Sequence, residues 1–182
     1  MAHELTTSYL KDAIALFRHY KKLGENALAQ CPDTGLFAAL DKDSNSIAII
    51  IKHISGNMRS RWTNFLTTDG EKLDRNRESE FEEPPKTRSE LFTMWDEGWQ
   101  IFLDALENLN DSDLAKTITI RKEPHSVMQA INRQVAHYAS HIGQITFLAK
   151  HFAGTGWKAL TVPRPGSQLF TPNATAGSKP IK

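Results

Sequence analysis

Two histidines near the C-terminal end of the chain have the spacing of a metal-binding pair. His137 and His141 are four residues apart, so on a helix their imidazoles lie on one face, about 6 Å apart at the β-carbons. Two imidazoles at this distance can converge on one divalent ion, as they do in helical H-x-x-x-H sites. An isolated pair of this kind is more often two boundary residues that hydrogen-bond within a bundle.

His53 supplies a third candidate ligand. It lies among isoleucines in the middle of an apolar segment, in the run Ile50-Ile51-Lys52-His53-Ile54. A buried imidazole needs a hydrogen-bond partner or a metal ion, because an unsatisfied buried polar group costs about 1–3 kcal/mol. Three neutral nitrogen ligands leave coordination positions open for water or substrate, as in catalytic sites. The three histidines together therefore favour a metal site over simple packing.

Three further side chains are candidates for binding a substrate. Asn57 follows His53 by one helical turn, Arg61 follows Asn57 by another, and Arg133 precedes His137 by one turn. A guanidinium can hold a substrate carboxylate through two hydrogen bonds. The alternative for both arginines is an ion pair with the acidic loop, which contains Glu78, Glu80, Glu82 and Glu83.

Two glutamines in the same segment could orient the histidine ligands. Gln134 and Gln144 are each three residues from a histidine of the H-x-x-x-H pair, and hydrogen bonds to the second ring nitrogen often fix a ligand's orientation. No Asp or Glu lies one turn from any of the three histidines. The sequence therefore predicts no general base beside the metal.

Four long segments with helical periodicity must position these side chains. They cover about residues 6–30, 46–68, 87–109 and 126–152, and the polar connection 71–86 is long enough to run from one end of a bundle to the other. Thr117–Ile120 alternates like a strand. The pattern predicts an all-α four-helix bundle with long loops, a short strand or hairpin before the last helix, and an irregular C-terminal tail. We expect one domain over residues 1–171 and a flexible tail over 172–182.

Composition excludes several classes of protein. The 182 residues carry 22 Lys and Arg against 21 Asp and Glu, and a general nucleic-acid binder would show a clear basic excess. A single cysteine excludes a disulfide scaffold and a cysteine-based zinc finger. No apolar run is longer than that of residues 47–51, which is far shorter than the roughly 20 residues that span a bilayer. We expect a cytoplasmic protein that binds neither membrane nor nucleic acid.

The joint pattern resembles the DinB-like superfamily of four-helix bundles, which carry one histidine on the second helix and H-x-x-x-H on the fourth. Those positions are His53, His137 and His141 in this sequence. Residues 45–72, 75–81 and 131–151 resemble one uncharacterised subfamily more closely, and the likeness extends over about residues 8–170. The resemblance implies a three-histidine site for a divalent ion, with zinc or nickel first and iron or manganese as alternatives, and a homodimer.

The resemblance also implies a reaction class. Some members of the superfamily are thiol S-transferases or thiol-dependent isomerases that use low-molecular-weight thiols such as bacillithiol or mycothiol. We therefore expect a metal-dependent enzyme in which an activated thiolate attacks a small electrophile, since this chemistry suffers least from the missing base. The alternatives are a non-catalytic metal-binding or interaction bundle and a metal-dependent hydrolase.

Overall fold

The computed structural model describes residues 5–161, and most of them are helical. Within this range the chain forms five α-helices and a two-stranded antiparallel hairpin, so the prediction of an all-α bundle with a hairpin before the last helix is confirmed. The helices are α1 (Tyr9–Gln30), α2 (Asp33–Phe37), α3 (Ile47–Trp62), α4 (Arg88–Glu107) and α5 (Val127–Ala153). The strands are β1 (Thr117–Ile120) and β2 (Glu123–Ser126), and short 3₁₀ helices cover Glu78–Phe81, Asp111–Ala115 and Gly154–Gly156. The predicted tail, 172–182, lies outside the described residues.

Side-chain caps begin the long helices. In each case a hydroxyl accepts a hydrogen bond from a backbone N–H three residues later, which satisfies one of the free donors of the first turn. The capping residues are Ser8, Ser46, Thr87 and Ser126. At Thr87 and Ser126 the cap is a full capping box, in which the side chain of Glu90 or Gln129 accepts a hydrogen bond back from the N-cap backbone.

Two helix boundaries differ from the sequence prediction. The cap at Ser8 makes α1 begin at Tyr9 rather than at residue 6. Helix α3 ends at Trp62, well before the predicted stop at 69, because Asn64 adopts a positive φ of 50° that a right-handed helix cannot continue. The short α2 was not predicted, since five residues after the Cys31-Pro32 break carry too little periodicity to be recognised.

Aromatic rings join the helices at the centre of the bundle. Phe17 of α1, Phe102 of α4 and Tyr138 of α5 are fully buried and meet edge to face, with centroids 4.5 to 5.9 Å apart. Such pairs add about 0.5–1.5 kcal/mol beyond area burial. Tyr138 directly follows His137, so this packing fixes the part of α5 that carries the histidines. Three tryptophans are buried as well: Trp62, Trp95 and Trp99.

The connection between α3 and α4 is fastened to the hairpin. The Gly70 N–H donates to the Thr119 carbonyl oxygen at 2.8 Å. The Asp69 carboxylate accepts from the backbone N–H groups of Arg121 and Lys122 at 2.9 and 2.8 Å, and both residues have the positive φ of a tight turn. The loop is therefore held at one end before it reaches the histidines. No helix within residues 5–161 is long and apolar enough to cross a membrane.

A matched pair of glycines tests the packing of the bundle. A β-carbon at the buried Gly24 of α1 would lie 2.5 Å from Trp95 Cη2, whereas one at Gly143 of α5 would meet nothing within 4 Å. We expect Gly24→Ala to lower the free energy of unfolding by about 1–3 kcal/mol through overpacking. Gly143→Ala should raise it by about 0.5–1 kcal/mol through helix propensity. Urea unfolding measures both, and a Gly24→Ala protein as stable as the parent would contradict this packing.

Candidate metal centre

Helices α3 and α5 bring the three predicted histidines together. His53 Nε2 lies 3.4 Å from His137 Nε2, and His141 Nε2 lies 3.1 Å from the same atom. One nitrogen from each residue falls within 4.8 Å of the others, close enough for the three to hold a metal ion. His53 is buried, and the α5 pair is half-buried.

The other nitrogen of each ring faces an oxygen. His53 Nδ1 is 2.9 Å from Glu80 Oε2, His137 Nδ1 is 3.2 Å from Gln134 Oε1, and His141 Nδ1 is 2.8 Å from Gln144 Oε1. An ionised carboxylate only accepts hydrogen bonds, so His53 donates from Nδ1 and keeps its lone pair on Nε2. The amide oxygens favour the same tautomer on the α5 pair. Gln134 and Gln144 therefore each contact the Nδ1 edge of one histidine of the α5 pair.

With each ring proton on Nδ1, the Nε2 atoms of His53 and His141 face that of His137 with no proton to share, and this arrangement fits a cation. Burial, followed by the neighbouring His141 and His53, lowers the pKa of His137 to about 3. Burial also lowers the pKa of His141. The α5 imidazoles are therefore neutral near pH 7, which is the form that binds a metal ion. Imidazole nitrogens suit zinc, nickel and iron, whereas manganese prefers oxygen ligands.

Glu80 is the residue that the sequence analysis missed. It stands in the 3₁₀ helix Glu78–Phe81 and is buried against His53. Arg75 holds its carboxylate from the far side, with Nε donating to Oε1 at 2.7 Å and Nη2 to Oε2 at 2.9 Å. Burial would raise the pKa of the Glu80 carboxyl, but hydrogen bonds from His53 and Arg75 outweigh burial and lower it. No Asp or Glu lies one helical turn from the histidines, as the sequence indicates, but the loop brings this carboxylate against His53 from 27 residues away.

Gly56 makes room for this carboxylate. It lies three residues after His53 on α3, and a β-carbon there would be 2.6 Å from Glu80 Oε1. The loop can therefore lie directly on the helix surface. Phe81, the next residue, stacks on the His53 ring with centroids 4.7 Å apart and an interplanar angle of 29°. One ligand imidazole is thus fixed by a carboxylate at its edge and an aromatic ring on its face.

The three candidate substrate-binding residues have different surroundings. Asn57 is buried, and its Oδ1 accepts a hydrogen bond from Tyr138 Oη at 3.1 Å. Arg61 is buried, and Arg133 is exposed. The alternative of an Arg61 ion pair with the glutamates at 78–83 is wrong within the described residues. Its nearest carboxylate is Glu71, with Nη2 and Oε2 3.8 Å apart.

Fold and site together define a helical bundle with a candidate three-histidine metal centre, in which an oxygen acceptor orients each ring. The chain belongs to the family described as "Protein of unknown function (DUF1572)", whose model matches residues 4–166. Comparison with curated proteins gives no match. The family description assigns no activity, so any function must be argued from the site itself.

Proposed function

We propose that this protein is a divalent-metal-dependent enzyme of the DinB-like superfamily that transfers a low-molecular-weight thiol to a small electrophile. The observation that carries the proposal is the convergence of His53, His137 and His141 through Nε2, with every Nδ1 hydrogen-bonded to an oxygen. Zinc or nickel is the ion we propose first. Three protein ligands are the number found in catalytic zinc sites with a position open for substrate.

The surroundings of the site favour thiol chemistry over hydrolysis. When bound, a divalent ion supplies charge that stabilises a thiolate. Glu80 cannot serve readily as a base for water on the open side, because both its oxygens are engaged by His53 and Arg75 and it faces Nδ1 rather than Nε2. A thiol, with a pKa of about 8.5, gives up its proton far more easily than water. The Glu80 hydrogen bond instead keeps the proton on His53 Nδ1 and makes Nε2 a stronger ligand.

A reducing compartment suits such a reaction, because low-molecular-weight thiols stay reduced there. A cytoplasmic location is therefore part of the proposal. A homodimer is part of it as well, on the strength of the resemblance to the superfamily. The alternatives remain a non-catalytic metal-binding or interaction bundle and a metal-dependent hydrolase, and each predicts a different experimental result.

The test begins with tag-free protein purified without chelator. Elemental analysis should find about one transition-metal ion per chain. Cobalt-loaded protein should develop thiolate-to-metal absorption bands when 2-mercaptoethanol is added, and the zinc-loaded or nickel-loaded protein should speed its reaction with 1-chloro-2,4-dinitrobenzene. In that reaction a carbon–sulfur bond forms, the carbon–chlorine bond breaks, chloride leaves and the thiol proton passes to solvent.

Chelator-treated protein is the control and should show neither the bands nor the acceleration. Bound metal with no thiol bands and no conjugation would favour the non-catalytic alternative. Hydrolysis of an activated ester without thiol binding would favour the hydrolase. Failure to bind zinc, nickel, iron or manganese at all would overturn the proposal.

A further inference from the structure

Arg61 is a buried cation without a hydrogen bond among the described residues. Its side chain is 3% exposed, and its Nε and Nη1 atoms are buried with no partner. The 3.8 Å separation from Glu71 Oε2 is too long for a hydrogen bond. Burying a charged group is unfavourable unless hydrogen bonds replace those of water. The Arg61 guanidinium therefore needs a hydrogen-bond acceptor that residues 5–161 do not provide.

Arg61 lies near the histidines. His53, Asn57 and Arg61 occupy successive turns of one face of α3, which places Arg61 about 12 Å along the helix axis from His53. The hydrogen bond between Tyr138 Oη and Asn57 joins α3 to α5 between these two levels. Arg133 lies one turn before His137 on α5, and its charge acts on Arg61. The two arginines therefore lie near each other, one on each of the helices that carry the histidines.

Positive charge around Arg61 is in excess. Its cationic neighbours outnumber the carboxylates that act on it, and the carboxylates are shared. The cations are Lys72, Arg75, Arg121 and Arg133; the carboxylates are Asp69 and Glu71, together with Glu80, which is bound to Arg75. Glu71 also pairs with Arg75 and Arg121, and Asp69 is engaged by the hairpin turn. A cluster of this sign attracts an anion.

Building on the proposed function, we infer that Arg61, assisted by Arg133, forms an oxyanion subsite that binds a carboxylate or phosphate group of the small molecule that reacts at the three-histidine centre. The guanidinium fork matches such a group with two parallel hydrogen bonds. A bound oxyanion would supply the acceptors that Nε and Nη1 lack. It would also offset the repulsion between Arg61 and Arg133.

Calorimetric titration of the full-length protein with sodium acetate and with sodium phosphate, against sodium chloride at constant ionic strength, tests this inference. We expect at least one of the two oxyanions to bind saturably with one site per chain. Acetate binding alone identifies a carboxylate subsite and phosphate binding alone a phosphate subsite. Arg61→Met should weaken that binding about tenfold or more, because charge-assisted hydrogen bonds are lost. Arg133→Gln, at an exposed position, should weaken it severalfold.

Arg59→Gln is the matched control, because Arg59 lies on the same helix but is 63% exposed and paired with Glu97. Its oxyanion affinity should equal that of the parent. Absence of saturable binding, or equal affinity in the parent and in both the Arg61 and Arg133 variants, would overturn the inference. The titration is run on chelator-treated as well as metal-loaded protein. Loss of the proposed metal chemistry therefore leaves the subsite measurable, and loss of the subsite leaves the metal result standing.

Discussion

Glu80→Ala is expected to lower the free energy of unfolding of the metal-free protein by about 3 kcal/mol, because removing one partner of a buried ion pair leaves the other charge uncompensated. Both side chains of the Arg75–Glu80 pair are almost fully buried, and two hydrogen bonds join them. Arg75 would keep its contact with Glu71 at 3.2 Å, which places the loss near the lower end for buried pairs. Urea unfolding at neutral pH measures it.

Glu78→Ala is the matched control for this prediction. Glu78 begins the same 3₁₀ helix but is exposed, so its removal should change stability by no more than about 0.5 kcal/mol. In a double-mutant cycle, Glu80→Ala and Arg75→Ala together should cost less than the sum of the single changes. A loss below about 1 kcal/mol for Glu80→Ala would show that the pair does not hold the loop against α3.

His137→Ala is expected to have the opposite signature: a large loss of metal affinity with little loss of stability. The substitution removes one of three candidate ligands. When the binding free energy of a complete zinc site is divided among its ligands, each ligand accounts for about 100- to 1,000-fold in affinity. The metal-free fold depends on this ring far less. It is only half-buried, and its Nε2 lies against two other unprotonated nitrogens.

Two measurements on the same preparations check the His137 prediction. Competition with a chromophoric chelator gives the zinc affinity, and urea unfolding of chelator-treated protein gives the stability. His151→Ala is the control, because His151 is exposed near the end of the same helix and should keep the affinity of the parent. Unchanged zinc affinity in His137→Ala would remove this histidine from the ligand set.

The helices and the three candidate ligands could be predicted from the sequence because most of the information is local. Hydroxyl caps mark where helices begin, and the four-residue spacing of His137 and His141 places them on one face wherever the helix lies. That His53 lies close to these two residues had to be inferred from its apolar surroundings, because it stands on a different helix. A polar ring surrounded by isoleucines on another helix indicates that it faces the same interior.

The carboxylate against His53 could not be predicted in this way. Glu80 is 27 residues from His53 along the chain, and its position depends on contacts made elsewhere in the loop. Asp69 ties the start of that loop to the hairpin turn, and Arg75 holds the carboxylate from behind. Contacts between residues so far apart along the chain produce no periodic pattern in the sequence. The one local sign was Gly56, a glycine inside a helix at a half-buried position, where a side chain would meet the Glu80 carboxylate.

Gly56 has a consequence for how sequence variation in this protein is interpreted. Exchanging glycine for alanine in a helix usually counts as conservative, and on a free surface it stabilises. Here the added methyl group would occupy the space of the Glu80 carboxylate. The substitution would change no ligand and no charge, yet it would displace the group that sets the electron-donating strength of His53. A naturally occurring alanine at this position thus alters the candidate metal centre, although it adds only a methyl group.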